Sequence, residues 1–313
     1  EPDIWIQVTV PNEFMRAGKY NIGITAGIET DRVTPEWLEG MNRMDLNIVP
    51  SEHSVRGFSC TYDKLNQQTQ QVVETLAMNK PIEILMEGID TNVFRKTKDI
   101  EPTITKQLSQ IKEEFNFLVC GHWMNGEFTH DRKDIGGTLH TLITSFKNKS
   151  QKNITGITFS VTEKKNVMAK INKITEAFRD ANTKIPNIYL VWGNLTDSEM
   201  NSLYNHPKVK AMVSFTHGEG YGRPLAEFSV TGKPVIVSDW SGHVDFMKEY
   251  GVMLPGELKD VHSSVIWEGV INKDAKWFYV NYQYASGVIR DVYKNYKKYL
   301  EKSRKQTKYM KDN

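Results

Sequence analysis

Ser214-Phe-Thr-His-Gly-Glu219-Gly-Tyr-Gly222-Arg-Pro-Leu-Ala-Glu227 decides how this chain is read. The run Ala211–Phe215 has the apolar, compact character of a buried strand. It gives way to three glycines in five positions, Gly218, Gly220 and Gly222. Without a Cβ, such a loop lets backbone N–H groups come close to a ligand, and Pro224 suits the first turn of a following helix. A helix that starts after a glycine-rich loop offers an anion site of the size of a diphosphate. Two carboxylates then differ in place: Glu219 belongs to the loop, and Glu227 to the helix one to two turns in. Beside a diphosphate a carboxylate is electrostatically misplaced unless it accepts hydrogen bonds from hydroxyls, and sugars and ribose supply those.

Working outward, short β-branched or aromatic runs alternate with helical periods, the pattern of parallel sheets with crossover helices. In the first part the expected strands are Asp3–Val10, Tyr20–Ala26, Leu46–Pro50 and Ile82–Glu87. Between the last two, Leu65, Val72, Val73 and Leu76 predict a helix with one apolar stripe. A polar stretch from Asp90 to Pro102 reads as a linker. In the second part the expected strands are Phe115–Cys120, Gly156–Val161, Asn187–Trp192, Ala211–Phe215 and Pro234–Ser238. Leu139, Leu142, Ile143 and Phe146, and then Ile171, Ile174 and Phe178, give the helices between them their core faces. Five strands complete a doubly wound domain, whose ligands bind at the strands' carboxyl ends. A last helix gathers Ile289, Val292, Tyr293, Tyr296 and Leu300. Four strands in the first part make a domain that is small or partial.

The bulk numbers fit a soluble enzyme: 313 residues, 39% hydrophobic, 11% aromatic, net charge +2. So small a net charge gives no global field for nucleic acid or membranes. Only the end from Lys294 to Lys311 is strongly basic, either a solvated helix face or, through Lys297, Lys298, Lys302, Arg304 and Lys305, a phosphate-binding one. Cys60 and Cys120 form no disulfide framework and no metal spacing, which suits a reduced, cytoplasmic setting. No apolar run approaches the ~20 residues that span a bilayer.

Glu219 and Glu227 with their flanks resemble the E-x7-E motif of the group 1 (family 4) retaining glycosyltransferases of the GT-B fold, whose core reads E-G-F/Y-G-x-P-x-x-E. The likeness continues through Gly232-Lys-Pro-Val-Ile and through Ser241-Gly-His-Val-Asp245, which is similar to that family's G-G-x-x-E loop with Asp for Glu. Upstream, Gly193-Asn-Leu with Met200 to Tyr204 resembles the approach to the motif strand. Glu87-Gly-Ile-Asp90-Thr-Asn-Val-Phe94 resembles the segment that closes the N-terminal domain. Glu29-Thr with Trp37, Asn42, Asp45 and Pro50-Ser51 is similar to a version of the segment before it. The resemblance covers roughly residues 20–250.

The resemblance implies an α/β chain of two Rossmann-like domains facing a cleft: residues 1–98 on the acceptor side, 99–277 holding the nucleotide-sugar, and 278–313 a helix crossing back to the first domain plus a basic tail. It implies that Glu219 lies against the donor sugar and Glu227 binds the ribose. Backbone around Gly220, Tyr221, Gly222, Arg223, Pro224 and Leu225 would hold phosphate and sugar oxygens. Lys133 and Arg132 would neutralise the leaving diphosphate, with His122 where the family places an arginine. Glu29 or Thr30 would occupy the place of a histidine that faces the donor sugar. Trp192, followed by Gly193, ends its strand as core packing or as a platform for the base. His217 and His243 read as loop residues near the site, without metal spacing. The donor is then a nucleotide-sugar, no metal is required, and the acceptor hydroxyl belongs to a glycan, a lipid or a modified DNA base. Two rival readings share the fold: a non-catalytic sugar-nucleotide-binding or scaffolding protein, and a nucleotide-sugar epimerase.

Overall fold

A computed structural model describes residues 1–124, 128–148, 154–160 (backbone), 163–180 and 183–313. The first domain runs β1 Ile4–Val8, β2 Tyr20–Ile24, α1 Pro35–Asn42, β3 Leu46–Val49, α2 Glu52–Phe58, β4 Tyr62–Leu65, β5 Val72–Leu76 and β6 Ile82–Ile84. Its sheet, in the order β1-β2-β3-β6, is parallel throughout. One face packs on α1 and α2 through Trp37, Leu38, Met41, Val49 and Phe58. The other face carries Ile4, Ile6, Val8, Tyr20, Ile22, Ile24, Leu46 and Ile48, in register across three strands. Its outermost side chains are open to solvent: Ile4 is 61%, Ile6 55% and Val8 73% exposed.

The helix expected across Leu65, Val72, Val73 and Leu76 is instead the antiparallel hairpin β4–β5. The reason is local. Asn66 Oδ1 accepts from the N–H groups of Gln68 and Thr69, a turn that competes with helix, and Gln70 has φ 54°. Val72, Val73 and Thr75 then prefer extended backbone, and Leu65, Val72 and Val73 are exposed rather than forming a stripe.

The second domain continues with α3 Pro102–Ser109, β7 Phe115–Cys120, α4 Ile135–Phe146, β8 Ile154–Ser160, α5 Lys164–Glu176, β9 Asn187–Trp192, α6 Asp197–Asn205, β10 Val209–Ser214, α7 Arg223–Ser229, β11 Val235–Ser238, α8 Val244–Met247 and β12 Val252–Leu254. Phe94 is already buried in this domain's core, ahead of the expected boundary. The sheet order β9-β8-β7-β10-β11-β12 is the doubly wound one, reversing direction at β7 and β10. Six strands stand where five were expected; β12 is only three residues long and carries no period of its own. Val161, placed in a strand by its sequence, lies outside the described residues.

After β12 an antiparallel arm, β13 Gly256–Asp260 and β14 Lys276–Val280, reaches the first domain. Asp31 N–H donates to Lys276 O, Lys276 N–H donates to Asp31 Oδ1, and Val270 packs on the first-domain core. Helices α9 Tyr282–Lys294 and α10 Tyr296–Asp312 close the chain. The crossing back to the first domain expected of this segment is corrected. Ile289 and Val292 are buried in the second domain's core, and Gln306 and Thr307 donate to the carbonyls of Phe246 and Ser229 in that same domain. It is the arm that bridges the domains.

Candidate active site

The carboxyl ends of β2 and β3 in the first domain meet those of β7 and β10 in the second, where ligands of open α/β sheets bind. The glycine-rich loop after β10 is pressed into this junction. A Cβ on Gly218 would lie 1.9 Å from Glu29 O, and one on Gly220 would lie 2.0 Å from Ala26 O. Both glycines therefore let the first domain's backbone come close, a reason the sequence alone did not show. Gly222, at φ +101°, makes the turn into α7. Ser51 Oγ donates to Gly220 O (2.6 Å), and Glu52 N–H donates to Asp245 Oδ2 (2.8 Å), so α2 of the first domain is tied to the loop and to α8. The His53 ring meets Trp240 edge-on across the same boundary, with centroids 4.5 Å apart.

Four charges converge at the centre of the junction. Glu219 is buried, its N–H donating to Ser241 Oγ (2.9 Å), and its carboxylate pairs with Lys133 Nζ and more loosely with Arg132 (3.7 Å). Burial works against the charged carboxylate, but Lys133 and Arg132 outweigh it and hold its pKa at about 2. Arg132 also reaches across the domains to Glu29 Oε1 at 2.9 Å. Glu29 is thus brought to the site, with its carboxylate on Arg132.

A cavity of about 310 Å³ opens beside them, lined by Arg132, Lys133, Pro224 and Glu227 together with Gly121, His122, Asn194 and Tyr204. Burial raises the Glu227 pKa against the pull of Arg223; Tyr204 Oη donates to its carboxylate (3.4 Å). Burial and the neighbouring Lys133 and Arg132 lower the pKa of His122. The cavity therefore joins two cations to a carboxylate able to accept from hydroxyls.

Other expected residues fall differently. Tyr221 is buried with its ring against Phe246 at 4.9 Å, and Leu225 is buried in the same core. Leu225 N–H already donates to Gly222 O, and Pro224 has no N–H. This corrects the expectation that backbone from Gly222 to Leu225 serves phosphate throughout; Arg223, at the first position of α7, is left without an intrahelical acceptor. The Arg223 side chain reaches Glu227 at 3.4 Å. Trp192 is 45% exposed under Lys164 Nζ, 5.9 Å from its ring, and is not part of the cavity wall; Gly193, with φ +136°, is open around its Cα.

Sequence reasoning missed how the cation loop is braced. His217 is fully buried, with Nδ1 2.7 Å from Phe278 O and Nε2 2.9 Å from Thr129 O, and its N–H donates to Arg132 O. Burial pushes its pKa down to about 4, against the pull of the two carbonyls that face its ring nitrogens, and the ring braces β14 against the loop that carries Arg132 and Lys133. His243 is likewise buried, against Ser238 O (2.7 Å). Nothing in residue spacing signals contacts with β14, which lies some sixty residues away. Among the described residues, no group of three or more His, Cys, Asp or Glu side chains is placed to hold a metal ion, and no helix is long and apolar enough to cross a membrane.

No protein-family model matches the chain, and no curated protein matches it in sequence. Solved structures do match. HepE from Anabaena, crystallised in complex with UDP and glucose, aligns at TM-score 0.58 and 14% identity, over 94% of this chain and 67% of its own. Sucrose-phosphate synthase from Thermosynechococcus elongatus aligns at TM-score 0.61 and 12% identity, over 95% of this chain and 64% of its own. The C-terminal domain of the group 1 glycosyl transferase LpcC from Francisella tularensis aligns at TM-score 0.51 and 14% identity, over 72% of this chain and 98% of its own. The chain thus spans about two thirds of the length of the first two. With its paired parallel sheets and the cleft between them, the chain has the GT-B fold.

Proposed function

We propose that the protein is a cytoplasmic retaining glycosyltransferase, moving a sugar from a nucleotide-diphosphate donor to an acceptor hydroxyl. One observation carries the reading: Arg132, Lys133 and Glu227 share one cavity, with Glu219 on the other side of Lys133. In it the diphosphate lies against Arg132 and Lys133, and the ribose hydroxyls donate to Glu227. The sugar then extends toward Glu219 at the domain junction. As the glycosidic bond breaks, negative charge grows on the diphosphate and positive charge on the anomeric carbon. Fixed charges aimed at both are usually the largest contribution to such a step. The two cations do the work that a metal ion does in other transferases, so a metal is dispensable in this reading. The donor is a substrate, and no separate cofactor is invoked. The complex of HepE with UDP and glucose supports a nucleotide-sugar as donor.

The test is a thermal-shift screen of nucleotide-sugars, in which a ligand at 100 times its Kd stabilises by ~2.7 kcal/mol. Transfer is then followed with glycan, lipid and modified-DNA acceptors, and the anomeric configuration of the product is read by NMR. An inverted product removes the retaining mechanism. A bound donor that is neither transferred nor hydrolysed favours a scaffolding protein, and interconversion of the donor without any acceptor favours an epimerase.

A further inference from the structure

The ion pair between Glu29 and Arg132 has a property that the other charges of the site lack: it joins the two domains. Glu29 sits on the loop after β2, and Arg132 on the loop after β7. Their side chains are 2.9 Å apart and partly open to solvent, at 38% and 25% exposure. Glu219 and Lys133, by contrast, belong to one domain and are 9% and 11% exposed. Taken together, Glu29, Arg132, Glu219 and Lys133 carry no net formal charge. The cavity walled by Arg132 and Lys133 is therefore less attractive to a diphosphate while Glu29 is in place. Of the two carboxylates, Glu29 is the one free to withdraw, because it is the more exposed and moves with the first domain.

We propose that Glu29 competes with the diphosphate for Arg132, so that its return to Arg132 helps to expel the nucleotide product. Three features bear on this. Arg132 has a planar, multi-donor head that serves one carboxylate or one phosphate at a time in a given direction. The Arg132 loop is held rigidly by the His217 brace, so the carboxylate side of the pair is the one that yields. Gly218, with no Cβ, leaves the backbone at Glu29 unobstructed by the glycine-rich loop, so Glu29 can part from that loop with the first domain. Removing a competing charge from a partly exposed ion pair of this kind is worth about a few-fold in affinity for a charged ligand.

The nucleotide part of this picture rests on the transferase reading; the competition itself does not, and inorganic pyrophosphate tests it alone. Calorimetry on the full chain compares wild type, Glu29→Gln and Arg132→Gln. The expected result is that Glu29→Gln binds pyrophosphate about a few-fold more tightly, with a steeper dependence on salt, and that Arg132→Gln binds it more weakly. In the double variant the gain from Glu29→Gln should vanish, because the two act on the same contact. Pyrophosphate affinity that is unchanged or weaker in Glu29→Gln overturns the inference, as does a wild type that does not bind pyrophosphate at all. Binding of pyrophosphate but not of UDP or ADP would leave the competition standing and count against the nucleotide-sugar reading. Unaltered thermal unfolding of Glu29→Gln without ligand separates lost competition from lost folding.

Discussion

At the scale of single residues the site is a matter of which carboxylate faces which charge. Glu219→Gln keeps shape and one acceptor but removes the negative charge that the proposed mechanism sets opposite the anomeric carbon. Transfer is expected to fall ~10²–10³-fold in kcat, with donor affinity little changed; a loss of tenfold or less, ~1.4 kcal/mol, would make Glu219 a positioning group only. The same variant has a signature in stability. The folded pKa of Glu219 lies at about 2, below its ordinary 4.5, so its charge stabilises the fold above 4.5 and that stabilisation is lost as pH falls toward 2. Denaturation of Glu219→Gln should therefore depend less on pH across that window than wild type does. Glu227 goes the other way: burial raises its pKa, so it takes up its proton before an exposed glutamate does as pH falls toward the ordinary 4.5. Donor affinity should weaken as pH falls through that range, and Glu227→Gln should bind weakly at every pH. A wild-type donor affinity flat from pH 7 to 4.5 would sink the ribose role. Glu219 and Glu227 were legible because loop, helix and both carboxylates sit close together in sequence, whereas Arg132 and Lys133 came only from the resemblance, Lys133 lying 86 residues from Glu219. Glu29 was legible only as a candidate, since its partner Arg132 is about a hundred residues away.

At the scale of elements, the glycine-rich loop does two jobs. Gly222 turns the chain into α7, while Gly218 and Gly220 allow the domains to touch. Gly220→Ala should therefore act on domain closure more than on the donor cavity: a methyl group aimed at Ala26 O from 2.0 Å pushes the domains apart. Small-angle scattering should show a larger radius of gyration, and kcat should fall while nucleotide affinity holds within a few-fold. Unchanged dimensions with lost nucleotide binding would return Gly220 to the role the sequence suggested, close approach to phosphate. The hairpin β4–β5 shows the limit of periodicity. A stripe of four apolar residues was overruled by one Asn66 turn and by valines that favour extended backbone. Strands β7 and β9 were found at their true bounds because each is apolar and ends abruptly.

At the scale of the whole molecule, the alternation of strand and helix was enough to give parallel sheets and two domains. The arm β13–β14 was not foreseen, because its strands pair with one another and its exposed β13 carries no apolar rhythm. The role of bridge, assigned from the resemblance to the last helix, belongs to that arm. Helix α10 instead lies on the second domain, with Lys302 Nζ donating to Gly251 O, while Lys297, Lys298 and Lys305 are exposed.

The first domain's sheet has one further consequence, for how the protein behaves in a tube. Parallel sheets are normally covered on both sides, yet Ile4, Ile6 and Val8 stand open on the side away from α1 and α2. Such a surface acts as a solvent for other greasy things. The native protein should light up an environment-sensitive dye such as ANS without being unfolded, adsorb to plastic and chromatography resins, and tolerate concentration better with a mild detergent than with salt. Ile6→Lys, a substitution on exposed ground, should quench most of the dye signal and leave the melting temperature within a few degrees. A native protein that stays dark in the dye would show that this face is already occupied.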